Sequence, residues 1–207
     1  MARSQPRRSH LRSVPVQQRS TETVERILAA ALGVLDTGGL SAFNTNAVAA
    51  AAGVNVGTLY HYFPDKESVL RELFERTESE RVAYLRGMIH TYADTDDVEQ
   101  WVKEVVQTLV RMRRERRGAD VLRSALRVVP ALQELEDEQD SETSELFAAA
   151  LRRRHPGLTR QRALSVARTV IVSGIAVLDR TAETRKSSAP AERELIAMFA
   201  AYLGSLD

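Results

Sequence analysis

The sequence contains no cysteine, and this absence excludes disulfide bonds, thiolate metal sites and a thiol nucleophile. The four histidines, His10, His61, His90 and His155, do not match a metal-binding spacing such as H-E-x-x-H. Neither a G-x-S-x-G nucleophile turn nor a phosphate-binding glycine loop occurs. We therefore predict no metal, no cofactor and no enzymatic activity.

Long apolar segments are also missing. No uninterrupted apolar run reaches the ~18 residues that a membrane span requires. The basic N-terminus is not followed by the apolar segment of a signal peptide. We therefore expect a cytoplasmic protein that does not interact with a membrane.

Patterns typical of β-strands are nearly absent, whereas apolar residues recur at helical spacing along most of the 207-residue chain. The prediction is an all-α protein of about nine helices. The first helix is expected to follow a cap at Thr21 or Thr23 and to end at Gly38 and Gly39. The others are expected at about 46–52, 56–62, 66–92, 98–117, 159–183 and 191–204, with one bent helix or two over 119–154, divided near Pro130.

This pattern divides the chain into a basic disordered arm (residues 1–20), a small helical unit (21–65) and a larger helical body (66–207). The arm contains five arginines and no acidic residue. Such an arm is either a solvated tail or a contact for nucleic acid.

Residues 44–67 have the pattern of a helix-turn-helix. This motif needs a small residue on its first helix and, four residues later, one that accepts positive φ; Ala49 and Gly53 have this spacing. The outer face of the second helix is then short and polar, which suits phosphates and base edges. The alternative is a tight corner in an ordinary helical protein. Four apolar residues fall where two short helices would meet: Val48, Ala52, Val54 and Leu59.

Residues 23–71 resemble the DNA-binding domain of the TetR/AcrR family of bacterial transcription regulators. The resemblance depends on "ILAAALGVLDTGGL" in the first helix, on Thr45 and "VAAAAGV" in the second, and on "GTLYHYFPDKESVL" from the third helix into the fourth. It covers about a quarter of the chain. It implies an N-terminal three-helix DNA-binding domain and a larger C-terminal domain for ligand binding and dimerisation.

The resemblance also implies a set of DNA-binding residues. Thr45 would cap the second helix and contact a phosphate, and Thr58 and Tyr60 would bind phosphates on either side of the major groove. Tyr62 fits either the core or a DNA contact. The full set is Asn44, Thr45, Asn46, Asn55, Val56, Gly57, Thr58, Tyr60, His61, Tyr62 and Lys66.

One feature departs from the family pattern. Position 56 is frequently basic or polar in the family and is Val here, and residues 37–64 carry no charged side chain. Phosphate attraction must then come from elsewhere, so we expect Arg7, Arg8 and Arg12 of the arm to contact DNA, most naturally in the minor groove.

Residues 163–178, "ALSVARTVIVSGIAVL", are apolar on nearly all sides. Such a helix is expected to pack inward on its own subunit and outward on a second copy, although a central helix wholly inside one subunit is the alternative. The predicted two-fold interface consists of Val170, Gly174, Val177, Leu195, Phe199 and Tyr202.

The resemblance finally implies a repressor that an unknown small molecule releases from a palindromic operator in double-stranded DNA. Two alternatives stay open: a DNA-binding regulator without a small-molecule ligand, and a helical enzyme or adaptor with a DNA-binding-like corner. The candidate ligand residues, each of which also fits a plain core, are Tyr84, Met88, Trp101, Val105, Met112, Leu126, Phe147 and Arg168.

Overall fold

A computed structural model describes residues 18–115, 128–183 and 189–206 of the protein, together with residues 122 and 125. These residues form α-helices and contain no strand, so the predicted all-α class is confirmed. The count of about nine helices stays a prediction, because residues 116–121 lie outside the described part. The helices are α1 (Gln18–Ala42), α2 (Thr45–Ala52), α3 (Val56–Tyr62), α4 (Lys66–Tyr92), α5 (Val98–Glu115), α6 (Pro130–Arg154), α7 (Arg160–Glu183) and α8 (Ala189–Gly204).

Most helix boundaries agree with the sequence patterns, and the exceptions have local causes. α1 begins at Gln18, before the expected caps, and Gly39 (φ 63°, ψ −168°) interrupts it, so the expected stop is a kink followed by one short turn. α6 begins at Pro130, and α8 begins at Ala189, with Pro190 inside its first turn where a loop was expected. Proline is favoured there because the first helical residues have no intrahelical acceptor for their N–H groups.

The described residues divide into two compact units. The first holds residues up to 77 and the described residues of 121–133, and the second holds those of 78–120 and 134–207. α4 is continuous through the boundary between residues 77 and 78. The domain limits at residues 20 and 65 stay predictions.

The core of the first unit follows the apolar periodicity of the sequence. Arg76 of α4 forms ion pairs with Glu25 of α1 and, at 2.8 Å, with Glu72 of its own helix. The Arg76–Glu25 pair joins α4 to α1 at the surface, above the apolar core. The buried side chains include Val24, Ile27, Leu28, Ala31, Leu35, Val48, Ala49, Leu59, Phe63, Val69, Leu70, Leu73 and Phe74.

The second unit is built around an aromatic cluster. The ring of Tyr92 meets those of Trp101 and Phe147 edge to face, with centroids 4.9 and 5.2 Å away. The Trp101 indole donates a hydrogen bond to the Met88 carbonyl oxygen at 3.0 Å. α5 packs on α7 and α8 beside this cluster, and α7 packs on α8.

The buried Tyr92 hydroxyl makes the stability of this unit sensitive to alkaline pH. Burial raises the pKa of Tyr92 to about 12, and the Arg154 guanidinium over its ring offsets this only in part. An unfolded tyrosine has a pKa near 10, so between pH ~10 and ~12 the unfolded chain loses a proton that the native state keeps. The contribution to stability is thus complete below pH ~10 and is lost as the pH rises through the folded pKa.

We predict that Tyr92→Phe weakens this pH dependence. The free energy of unfolding of the variant should fall less steeply than that of the wild type above pH ~10, with a difference approaching roughly 2 kcal/mol near pH 12. Urea titrations at a series of pH values from neutral upward measure the two slopes. Parallel curves above pH ~10 would contradict the assignment.

Candidate nucleic-acid interface and internal cavity

The turn between α2 and α3 is closed by backbone hydrogen bonds. Gly53 has φ 64° and ψ 36°, as expected from its place in the sequence. Its N–H donates to the Ala49 and Ala50 carbonyl oxygens, and the Val54 N–H donates to the Ala49 oxygen at 3.0 Å. Residues with a side chain rarely adopt this left-handed conformation, so glycine sets the geometry of the turn.

An arginine of α1 holds the same turn from outside. Arg26 Nη2 donates to the carbonyl oxygens of Ala52 at 2.6 Å and of Gly53 at 3.2 Å. A cation at the C-terminus of a helix neutralises the partial negative charge of its last carbonyl groups. The sequence analysis missed this role, because 26 residues separate Arg26 from Ala52 and no local pattern connects them.

The start of α3 is fixed by Asn55. Asn55 Oδ1 accepts hydrogen bonds from the Thr58 backbone N–H at 2.6 Å and from the Thr58 hydroxyl at 3.0 Å. A Cβ atom at position 57 would lie 3.2 Å from Asn55 Oδ1, so Gly57 leaves room for the cap. The Asn55 oxygen is therefore engaged in capping, and its amide hydrogens are the part that can donate to DNA.

A hydroxyl pair links the first turn of α2 to α3. Thr45 Oγ1 and the Tyr60 hydroxyl lie 3.1 Å apart, and either can donate. Whichever donates, the other keeps its own hydrogen for a further acceptor. The pair therefore presents one oriented O–H donor at the surface, which suits a phosphate oxygen.

The structure exposes most of the side chains that the resemblance assigns to DNA. Val56 and Tyr60 are 39% and 42% exposed, although both are large and apolar. The Tyr62 side chain is buried, which assigns it to the core, and its ring lies nearly perpendicular to that of His61. The remaining exposed or half-buried members are Asn44, Thr45, Asn46, Asn55, Gly57, Thr58, His61 and Lys66.

One expectation about the ends of this surface changes. Asn44, not Thr45, caps α2, because its Oδ1 accepts from the Ala47 N–H at 2.9 Å. Lys66 lies at the N-terminus of α4, where the Asp65 carboxylate accepts from the Ser68 N–H at 2.7 Å. Arg7, Arg8 and Arg12 lie outside the described residues.

The second unit contains an internal cavity. It encloses about 710 Å³ of empty space, part of it open to solvent, and its wall comes from α4 to α8. Nearly all of this wall is aliphatic or aromatic. The lining residues are Arg81, Leu85, Ile89, Trp101, Val102, Val105, Val106, Leu109, Arg113, Thr143, Phe147, Val170, Ile171, Gly174, Ile175, Leu178, Leu195, Phe199 and Leu203.

The predicted ligand residues divide between this cavity and other places. Trp101, Val105 and Phe147 line it. Arg168 is exposed and does not line the cavity, so the structure does not place it with the other candidate ligand residues. Leu126 lies outside the described residues. The half-buried side chains of Tyr84, Met88 and Met112 are not part of the cavity wall.

Several predicted dimer residues face the same cavity. Val170, Gly174, Leu195 and Phe199 line it, and Leu195 is only 2% exposed, so it offers almost no surface to a second subunit. Val177 and Tyr202 are half-buried and pack against the core. Helical periodicity alone does not distinguish an apolar face around a void from one that meets a partner.

Comparison with known proteins identifies both parts of the chain. Residues 27–73 match the family of bacterial regulatory proteins of the TetR type, and residues 97–203 match the tetracycline repressor-like C-terminal domain. The chain belongs to the TetR family. Its helix-turn-helix lies within the matched N-terminal domain of this family of regulatory proteins, which removes the alternative of an ordinary helical corner.

Individual relatives agree with this assignment. The transcriptional regulator CymR of Pseudomonas putida is 36% identical over 83 residues, which are 40% of this chain and 41% of CymR. EthR of Mycobacterium tuberculosis H37Rv is 35% identical over 75 residues, 36% of this chain and 35% of EthR. The chain thus matches less than half the length of these relatives.

A solved structure shows that the likeness of the fold extends further. A TetR-family regulator from Mesorhizobium loti MAFF303099 has a TM-score of 0.69 over 91% of this chain and 98% of its own, at 18% identity.

In the part of this TetR-family chain that the structure describes, no group of three or more His, Asp or Glu side chains is arranged to hold a metal ion.

We predict that Gly53→Ala destabilises the first unit by about 1–2 kcal/mol, because alanine opposes the left-handed conformation. Gly87 of α4 is the matched control, since it is exposed and a Cβ atom there meets no atom within 4 Å. Gly87→Ala should stabilise the protein by up to about 1 kcal/mol. Thermal unfolding followed by circular dichroism compares them, and equal effects would contradict the role of the turn.

We predict that Asn55→Asp separates capping from DNA binding. Aspartate caps helices about as well as asparagine, so the melting temperature should change little, whereas the new charge and the lost amide should weaken binding of duplex DNA about ten-fold or more. Asn55→Ala should reduce both stability and DNA affinity. Full DNA affinity in the stable Asp variant would exclude Asn55 from the interface.

Proposed function

We propose that the protein is a cytoplasmic, homodimeric repressor that binds a palindromic operator and is released from it by a small molecule held in the internal cavity. DNA binding is supported chiefly by the exposed face of α3. The Asn55 cap and the Thr45–Tyr60 pair orient hydrogen-bond donors on this face in the absence of DNA. Preorganised donors favour binding because less side-chain entropy is lost in the complex.

The dimer is supported by the exposed surface of α7 and α8. Residues Arg160–Arg180 are long and apolar enough to cross a membrane by composition, yet only 28% of that apolar window is buried within the described structure. Val172 of α7 is 55% exposed and Met198 of α8 is 49% exposed. In a water-soluble regulator, the simplest cover for such a surface is the same surface of a second copy.

This surface differs from the one predicted from the sequence. Its residues are mostly small or apolar, and on each helix they lie within one or two turns of one another. They are Thr169, Val172 and Ala176 of α7 and Ala197, Met198 and Ala201 of α8, all of them exposed. A two-fold axis through this face would relate two copies of α3, as a palindromic operator requires. Two recognition helices related in this way contact half-sites that lie about one turn of the DNA helix, ~34 Å, apart.

The effector part is supported by the cavity and by the course of α4. The cavity wall is almost entirely aliphatic and aromatic, as the walls of small-molecule sites usually are. α4 begins at Lys66 and supplies Arg81, Leu85 and Ile89 to the wall. A ligand that prefers one conformation of α4 would shift the population of the DNA-binding state, and one without such a preference would shift nothing.

The first test is a titration of labelled duplex DNA from upstream of the protein's own gene, read by fluorescence anisotropy across a salt series. Thr45→Val together with Tyr60→Phe should weaken specific binding about 10- to 100-fold while leaving the fold intact, because the oriented phosphate donor is lost. A chain lacking residues 1–17 should show a shallower salt dependence if the arm neutralises phosphates. Absence of sequence-specific binding at every salt concentration would contradict the proposal.

The dimer has a separate test. Met198→Glu would bury an unpaired carboxylate at the proposed interface, so the dimer dissociation constant should rise at least about 100-fold. Val128→Glu is the control, since Val128 is 64% exposed and lies in the first unit. Sedimentation equilibrium measures both, and an unchanged dimer in Met198→Glu would exclude this face.

A further inference from the structure

We infer that the cavity takes an uncharged, largely hydrocarbon ligand, such as a long-chain alcohol or ester, and discriminates against carboxylic acids. This inference rests on the proposed function, because it concerns the ligand of the same cavity. It depends on how the polar groups of the wall are already paired.

The two arginines of the wall are each neutralised by a carboxylate of the protein. Arg81 is 7% exposed and is paired through Nε with Glu78, which is 4% exposed and lies one turn earlier on α4. Arg113 of α5 lies 2.7 Å from the carboxylate of Asp179 on α7, and both side chains are largely buried. The wall therefore contains cations but offers no net charge from these pairs.

The other two polar side chains of the wall also have partners inside the protein. Thr143 donates its hydroxyl hydrogen to the Gln139 carbonyl oxygen at 2.8 Å. The Trp101 indole N–H is shared between the Met88 carbonyl oxygen at 3.0 Å and the Thr91 hydroxyl at 3.2 Å. Neither group has a free hydrogen for a ligand.

These pairings decide between a neutral ligand and an acid. A carboxylate that approached Arg81 would share one guanidinium with the buried Glu78, and two anions around one cation in an apolar site would leave net negative charge out of water. A neutral chain requires no such rearrangement and gains contact with the aliphatic wall. An acid is therefore bound more weakly than an alcohol of the same length.

The test uses 1-decanol and decanoate, which share a ten-carbon chain and differ in charge at neutral pH. Isothermal titration of the full-length protein should show that decanol binds at least about ten-fold more tightly than decanoate, which corresponds to 1.4 kcal/mol or more. Decanoate binding equal to or tighter than decanol binding would overturn the inference. Failure of both compounds to bind would overturn it as well.

Glu78→Gln tests the cause of the discrimination. This change leaves Arg81 without its carboxylate, so the variant should bind decanoate at least about ten-fold more tightly than the wild type does, with little change for decanol. Glu80→Gln is the matched control, because Glu80 is exposed on the same helix and does not line the cavity. An equal response of the two variants would overturn the role of the ion pair, and the wild-type comparison decides the ligand class even if Glu78→Gln does not fold.

Gly174→Leu tests whether the compounds occupy the cavity. A Cβ atom at position 174 would lie 3.2 Å from the Phe199 ring, so a leucine there fills space inside the wall. Decanol binding should be lost in Gly174→Leu and kept in Gly87→Leu, the same change at an exposed helical glycine. Full binding in Gly174→Leu would overturn the assignment to this cavity.

The same compounds, added to the protein–DNA complex, separate this inference from the proposed function. Decanol that binds in the cavity without releasing DNA contradicts the effector-responsive repressor and supports the ligand class. Decanoate that binds more tightly than decanol and releases DNA contradicts the ligand class and supports the repressor.

Discussion

The left-handed backbone at Gly53 is the constraint on which the DNA-binding surface depends. The Ala49 carbonyl oxygen receives the N–H groups of Gly53 and Val54, and this pair of bonds ends α2 and turns the chain toward α3. The surface proposed to face DNA follows from that turn: α3 is capped two residues later, and Thr45 and Tyr60 meet because the two helices cross closely. The Arg26 guanidinium holds the same turn by donating to the carbonyl oxygens of Ala52 and Gly53.

The features that the sequence predicted correctly are local ones. The limits of α3 and α4, the positive φ of Gly53 and the buried stripe of α1 each depend on residues within a few positions of one another. Arg26 lies beyond that range, and no periodicity connects it to the turn. The cap of α2 was assigned one residue too late, because Asn44 and Thr45 are both good capping residues and only the backbone distinguishes them.

The second unit was harder to predict from the sequence, for a different reason. Hydrophobic periodicity showed that α7 and α8 are apolar but not what they face, so Gly174 and Phe199 were assigned to a partner subunit and are instead part of the cavity wall. The sequence analysis did not assign Arg81 and Arg113 to the cavity wall, because buried cations are rare. Only the structure shows the carboxylates of Glu78 and Asp179 that offset the cost of burying these charges.

The absence of charged side chains from residues 37–64 has a consequence for target selection in the cell. Contacts made by hydroxyls, amides and the Val56 side chain release few counterions, so their free energy changes little with ionic strength. Non-specific attachment to the chromosome is mainly electrostatic and weakens as salt rises. For the proposed repressor, the ratio of operator to non-operator occupancy should therefore increase as the salt concentration rises.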